Sequence, residues 1–241
     1  MPSVLITGAD RGLGLSLCKE YLNRNYTVFA GKYMEDYDLL ENLQVQNPNL
    51  HILRIDMSSR SSINAAKEAV EKVVGQLPLD VLISNAALMG EVKCSLYDPP
   101  MDLEAPWRSF NVNAIGPLLL TEAMLPVMQT GMKRLCYVSS EVACIALMKH
   151  RHDSPFPYPM SKASMNMAVR MMHNQLQPMG YTFRLFHPGW MKFREKDGVL
   201  SEKGMYDPDY IGDIAAKYFE KALGDEHRLV MYDFMGHEWT F

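Results

Sequence analysis

The sequence predicts an α/β fold: a doubly wound parallel sheet flanked by helices on both faces, built as a single domain over residues 1–241. Three observations carry that expectation. Short apolar runs alternate with longer amphipathic stretches along the chain. The runs are near-continuously apolar, as strands buried on both faces are. The first of them leads straight into a glycine-rich turn that opens a helical stretch.

In chain order, residues 4–7 form a β-branched apolar run, and 13–23 is the amphipathic stretch behind the glycine turn. The second and third strands are expected at 27–30 and 51–55, the latter followed by an amphipathic helix at 61–74. A fourth strand at 81–84 precedes the longest helical stretch, 107–128. The fifth strand, 135–139, ends in serine, and the methionine-rich helix 161–176 follows. The sixth strand, 182–186, the last helix, 209–223, and the last strand, 229–232, complete the pattern. Two loops are polar and irregular, 146–157 and 192–208. The second follows a strand end, at the sheet edge where ligands bind in such folds, and is the expected substrate lid.

Composition excludes several function classes. A net charge of −4 gives no basic surplus for nucleic acid. No apolar run approaches the ~18 residues of a membrane span, so no membrane association is expected. The first residues lack a charged, apolar leader, which predicts no signal peptide. Cys18, Cys94, Cys136 and Cys144 show no C-x-x-C spacing and read as reduced thiols of a cytoplasmic protein. The tract His150-Arg151-His152-Asp153 lies in a polar loop with no partnering cysteine, and no metal site is expected there.

The turn after the first strand reads Thr7-Gly8-Ala9-Asp10-Arg11-Gly12-Leu13-Gly14. Gly8 permits a tight turn, Gly12 close approach of a phosphate, and Gly14 packing of helix on strand. The helix that follows offers free N–H groups and a positive dipole end to a pyrophosphate. The spacing is G-x-x-x-G-x-G rather than the common G-x-G-x-x-G, but its place after the first strand and at the start of a helix predicts a Rossmann-type dinucleotide site over an ordinary glycine-rich turn. An NAD-binding site usually places an acid at the end of the second strand. Here Lys32 stands at that position, with Arg11 in the glycine loop. Two cations suit a 2′-phosphate, so NADP(H) is favoured over NAD(H), with Glu35 and Asp36 as opposing charges slightly further on.

Tyr158-Pro159-Met160-Ser161-Lys162 carries the chemistry. Positions i and i+4 share a helix face, so the Lys162 ammonium can lie beside the Tyr158 phenol. A nearby positive charge favours phenolate and is expected to lower the phenol's pKa, making it a proton donor or acceptor. Pro159 is tolerated only in a helix's first turn, so that helix should start very near Tyr158.

Together these motifs resemble the short-chain dehydrogenase/reductase family in its short, single-domain form, nearly end to end. Thr7–Gly14 looks like that family's cofactor loop, and Asp56, with Met57 beside it, like its adenine contact. Ser84-Asn85-Ala86-Ala87 resembles its N-N-A-G element, with Ala87 in place of glycine. Asn113-Ala114-Ile115-Gly116 resembles its N-x-x-G element, and Ser139-Ser140 its paired serines, the second usually catalytic. The resemblance thus implies a catalytic tetrad of Asn113, Ser140, Tyr158 and Lys162, with Lys162 also bonding the nicotinamide ribose and Asn113 holding a water. Pro188-Gly189-Trp190 looks like the turn flanking the nicotinamide, and the tail 232–239 like the close of the family's carbonyl reductases. Phe193 stands where a threonine often bonds the carboxamide.

The resemblance implies NADPH-dependent reduction of a small-molecule carbonyl compound, a ketone, aldehyde or quinone. The alternatives are alcohol oxidation, or a non-catalytic NADP-sensing regulator, which would predict a damaged tetrad. Epimerases and dehydratases of the family are longer, and its enoyl reductases space tyrosine and lysine more widely. Leu88, Met89, Met148, Trp190 and Phe193 are the candidate substrate contacts, with Met191 beside them. A homodimer or homotetramer built on 113–128 and 161–176 is implied. Met165, Met167, Met171 and Met172 serve either that interface or the core.

Overall fold

A computed structural model of the chain describes residues 1–89, 96, 99–102, 104–147 and 155–241. The elements begin with β1 (Ser3–Thr7), α1 (Gly12–Asn23), β2 (Thr27–Lys32), α2 (Leu39–Gln44), β3 (Leu50–Arg54), α3 (Arg60–Val74) and β4 (Val81–Ser84). Then come α4 (Glu104–Phe110), a π-helical turn (Asn111–Ile115), α5 (Gly116–Met124), β5 (Arg134–Val138) and α6 (Pro157–Leu176). The chain closes with β6 (Thr182–His187), α7 (Pro208–Glu220), β7 (Met231–Asp233) and β8 (Glu238–Trp239).

The strands form one sheet in the order β3-β2-β1-β4-β5-β6-β7-β8. Every pairing is parallel except β7 with β8. The order reverses between β1 and β4, which opens a crevice at their C-terminal ends. Strand side chains alternate between two cores. Leu5, Phe29, Leu82, Tyr137 and Leu185 face α3, α5 and α6, packing on Ile63, Leu120, Met165 and Val169. Val4, Ile6, Val28, Ile83 and Phe186 face α1 and α7, packing on Leu17, Tyr21, Ile211 and Phe219. Both faces are covered, as the continuous apolar runs predict.

Several boundaries differ from expectation. β2 runs to Lys32 and β7 starts at Met231. The α2 helix escapes a periodicity reading because its six residues bury only Leu40. β8 is two residues long, and its place is fixed by tertiary bonds: the Trp239 indole N–H donates to the buried Asp233 carboxylate at 3.0 Å. α6 begins at Pro157, with Pro157 and Pro159 in its first turn, where a missing N–H costs nothing.

The expected helix 107–128 is segmented. Pro117 has no N–H to give the carbonyl of Asn113 four residues earlier. The chain widens there instead, with the Gly116 N–H bonding the Asn111 carbonyl in an i→i+5 pattern. The run Pro106–Met128, at mean hydropathy 1.2, is long and apolar enough to cross a membrane by composition, contrary to the sequence reading. Its inner face, Ala114, Leu120, Met124 and Met128, lies in the core of the sheet.

A Cβ on Gly14 would sit 2.1 Å from the Gly8 carbonyl oxygen, so α1 approaches the loop backbone directly. Gly12 has a positive φ of 57°, yet a Cβ there would meet nothing within 4 Å. Gly14→Ala is therefore expected to cost about 3 kcal/mol of unfolding free energy by urea titration, and Gly12→Ala about 1 kcal/mol. Equal losses would contradict the collision at Gly14.

Candidate active site

The crevice floor is tied by one threonine and one asparagine. Thr7 Oγ1, at the end of β1, accepts the backbone N–H groups of Asn85 and Ala86, both at 3.1 Å. Asn85 Nδ2 donates back to the carbonyls of Thr7 and Gly8, at 2.9 and 3.1 Å. The ends of β1 and β4 are thereby locked with the glycine loop against them. No side chain caps the N-terminus of α1 at Arg11. Its first N–H groups therefore lack an intrahelical partner, beside the open space at Gly12. This cradle fits a dinucleotide diphosphate. Thr7 was not singled out from sequence for this role; its position just before the turn was the available signal.

On the far side of the crevice, β5 and α6 bring Ser140, Tyr158 and Lys162 together. The Ser140 hydroxyl lies close enough to the Tyr158 phenol to draw its pKa down. Lys162 is 2% exposed, and its Nζ donates to the Val138 carbonyl at the end of β5, 2.8 Å away. That Nζ lies 5.9 Å from the Tyr158 ring centroid, on the shared face that i,i+4 spacing predicts. Ser139 points the other way and donates to Asn166 Oδ1 at 2.7 Å, fastening β5 to α6.

Asn113 is fully buried in the π-helical turn. Its Nδ2 donates to the Leu88 carbonyl at 2.8 Å and to Ser161 Oγ at 2.9 Å. Its Oδ1 accepts the Leu88 N–H at 2.7 Å. Ser161 in turn donates to the Tyr158 carbonyl at 2.8 Å. The Asn113 side chain is thus bonded to protein partners on both its amide groups, and it reaches the tyrosine's backbone through Ser161, a link the sequence reading missed.

The electrostatics correct one expectation. Burial pushes the Tyr158 phenol up to about 12, against the smaller downward pull of the Ser140 hydroxyl. Burial also pushes Lys162 down to about 8. Desolvation of both charged forms outweighs the attraction between them, so the phenol's pKa is raised rather than lowered.

The predicted cofactor residues divide. Asp10 is buried, and its Oδ1 accepts the N–H groups of Tyr33 and Met34 at 2.9 and 2.8 Å. Its side chain therefore holds the loop to the chain beyond β2 rather than facing a ligand. Lys32 is not a free cation: its Nζ pairs with Glu41 Oε1 at 2.6 Å. Of the two opposing acids, Glu35 pairs with Arg54 at 3.1 Å and Asp36 with Lys196. Asp56 accepts the Ser58 N–H and hydroxyl at 2.8 and 2.7 Å. The Met57 side chain lies in the core.

On the substrate side, Leu88, Met89 and Trp190 are exposed around the crevice rim. Met148 and the 150–153 tract lie outside the described residues. Gly189 has φ 75°, and a Cβ there would meet the Phe234 ring at 2.8 Å, so the C-terminal tail backs the Pro188-Gly189 turn. Phe193 is half-buried, and its ring lies against the Arg11 guanidinium, whose carbon is 5.0 Å from the ring centroid. The 192–208 segment is folded back on itself, with Lys192 N–H donating to the Tyr206 carbonyl at 2.8 Å. The four methionines of α6 also divide: Met165 and Met172 are in the core, Met167 and Met171 are exposed. Among the described residues, no cluster of metal-ligating side chains occurs.

A sequence-family model described as short chain dehydrogenase matches residues 2–201. The chain is 41% identical to the protein named C-signal of Myxococcus xanthus over 162 residues, 67% of this chain and 92% of that one. It is 33% identical to a protein named Short-chain dehydrogenase RED3, from Pyricularia oryzae, over 94% of this chain and 91% of the relative. Among solved structures, an NADPH-bound carbonyl reductase from chicken fatty liver superposes with a TM-score of 0.84 at 24% identity, covering 100% of this chain and 99% of that one. The carbonyl reductase Sniffer of D. melanogaster does so with a TM-score of 0.85 at 22% identity, covering 100% of both chains. At these identities the two structures establish the fold.

Lys162 provides a test of the buried site. An unfolded lysine keeps its proton to 10.5, whereas the folded residue releases it near 8. Between those values the unfolded chain binds more protons, so stability rises with pH. The urea-derived stability of wild type relative to Lys162→Met is expected to climb by roughly 2 kcal/mol from pH 8 to pH 10. A pH-independent difference would mean that the ammonium stays charged in the fold.

Proposed function

The chain belongs to the short-chain dehydrogenase/reductase family of oxidoreductases, and on that premise we propose that it reduces a ketone, aldehyde or quinone to an alcohol with NADPH. The observation that carries this reading is the Tyr158 phenol set close to the Ser140 hydroxyl and beside the buried Lys162. A nicotinamide coenzyme, when bound, supplies the hydride. Tyr158 donates its proton to the carbonyl oxygen, and Ser140 donates a hydrogen bond that stabilises charge developing there. A phenol held up to about 12 stays protonated at neutral pH, which suits a donor that waits for a basic alkoxide. Lys162 faces the phenolate left behind and bonds the nicotinamide ribose. Reprotonation runs through Lys162 and a water on the backbone carbonyl of Asn113. Support for that water is the absence of an N–H on Pro117, since the Asn113 side chain is already bonded to Leu88 and Ser161.

In this reading the N–H groups of Gly12, Leu13 and Gly14 hold the diphosphate. Asp56 borders the adenine, and Asn85–Ala87 with Pro188–Trp190 border the nicotinamide. Arg11 alone reads the 2′-phosphate, because Lys32 is paired with Glu41. Leu88, Met89 and Trp190 form an apolar mouth, closed by the 192–208 segment as a lid. Exposed Met160, Met167 and Met171 on α6, with Ile115 and Leu118, support a homodimer face. Cys18, Cys136 and Cys144 are buried free thiols, which supports a cytoplasmic location. The two superposed structures are carbonyl reductases by name, which favours reduction over alcohol oxidation.

A second reading, a coenzyme-binding regulator, is favoured by the 41% identity to a protein named C-signal. Tight NADPH binding with no NADPH oxidation across a broad carbonyl panel would select it. For the enzyme reading, Tyr158→Phe is expected to keep NADPH binding, followed by nicotinamide fluorescence, and to lose about 10²–10⁴-fold in turnover. A purified Tyr158→Phe protein with near-normal turnover would overturn the proton-donor assignment.

A further inference from the structure

Arg11 is packed against two aromatic rings that come from different parts of the chain. Its guanidinium carbon lies 5.2 Å from the centroid of Tyr37, beyond β2, and 5.0 Å from that of Phe193, in the 192–208 segment. Nη1 also donates to the Tyr37 hydroxyl at 2.7 Å. Around it the charges are paired: Lys32 with Glu41, Glu35 with Arg54, and Asp36 with Lys196. Among the described residues, no carboxylate lies in ion-pair range of Arg11. Arg11 is therefore the cation in this neighbourhood that makes no ion pair, although Asp36 lies near enough to feel its charge. A guanidinium resting on rings, with Nη1 on the Tyr37 hydroxyl, keeps its other N–H groups for a phosphate while losing little freedom on binding one. The pair Lys196–Asp36 acts in the same sense, since it puts a cation of the same segment on an acid that would otherwise repel an incoming phosphate.

We propose that Phe193 is a positioning residue for coenzyme selection. By stacking on Arg11 together with Tyr37, it sets the guanidinium for the 2′-phosphate of NADPH, so that the 192–208 segment takes part in discriminating NADPH from NADH. This rests on the NADPH reading above. It also accounts for an aromatic residue at a position where the family often has a threonine that bonds the carboxamide: the side chain serves the adenosine end of the coenzyme instead.

The test uses the adenosine half of the coenzyme alone, so that neither turnover nor nicotinamide binding enters. Calorimetric titration of the full chain with adenosine 2′,5′-bisphosphate and with 5′-AMP gives a preference ratio. Wild type is expected to prefer the bisphosphate. Phe193→Leu is expected to lower that ratio about fivefold, with 5′-AMP affinity unchanged. Phe193→Tyr, which keeps the ring face, should restore it, and Phe193→Leu should add nothing in an Arg11→Ala background. Arg11→Lys keeps the charge but not the flat face, and should also lower the ratio, independently of how Phe193 variants fold. A full ratio in Phe193→Leu or in Arg11→Lys overturns the proposal, and so does an equal loss for both ligands. A wild type with no preference for the bisphosphate removes the NADPH reading and the proposal with it, an outcome distinct from wild-type preference that Phe193 does not influence.

Discussion

A lysine that is 2% exposed, with its nitrogen on the carbonyl at the end of β5, is the constraint on which the candidate site depends. Burying an ammonium is costly unless it is hydrogen-bonded. The Val138 carbonyl meets part of that demand, and the lowered pKa near 8 records what remains. The same low-polarity surroundings raise the Tyr158 phenol. At neutral pH the phenol therefore stays protonated, while the lysine is still mostly charged but close to releasing its proton, which favours passing a proton over storing charge. Their alignment follows from α6 lying across β5, fastened by Ser139 to Asn166.

A second line of support runs from the π-helical turn. Pro117 interrupts the helical ladder and fixes the place where the helix widens. That widening sets Asn113 against Leu88 beyond β4 and against Ser161 on α6. One side chain thus joins the segments after β4 and at the start of α6, the two sides of the crevice. Across the crevice, Thr7 and Asn85 do the equivalent work for β1 and β4. The cleft is a set of strand ends stapled by short polar side chains, and little of it rests on long flexible ones.

At the end of β2 the physics is one of sorting charges. Lys32, Glu35 and Asp36 are each matched by a partner distant in sequence or one helix away. Exposed pairs of this kind add little stability. Their effect is on potential: they leave Arg11 without an ion-pair partner of its own among the described residues. Because Asp36 is paired by Lys196 and Arg11 is packed by Phe193, the 192–208 segment conditions the charges at the end of β2.

By itself the sequence determined the strand–helix alternation, the glycine loop and the order of Asn113, Ser140, Tyr158 and Lys162 along the chain. Those features are local: continuous apolar runs need cover on both faces, glycines license the turn, and i,i+4 spacing places tyrosine and lysine on one helix face. Tertiary structure decided the rest. Whether Lys32 is free, whether Asp10 faces a ligand or the backbone, and whether Phe193 lies in the crevice or on Arg11 depend on neighbours far along the chain. The direction of the tyrosine's pKa shift also escaped the sequence. A charge four residues away is visible in the sequence, but the desolvation that outweighs it exists only once the surrounding elements have packed.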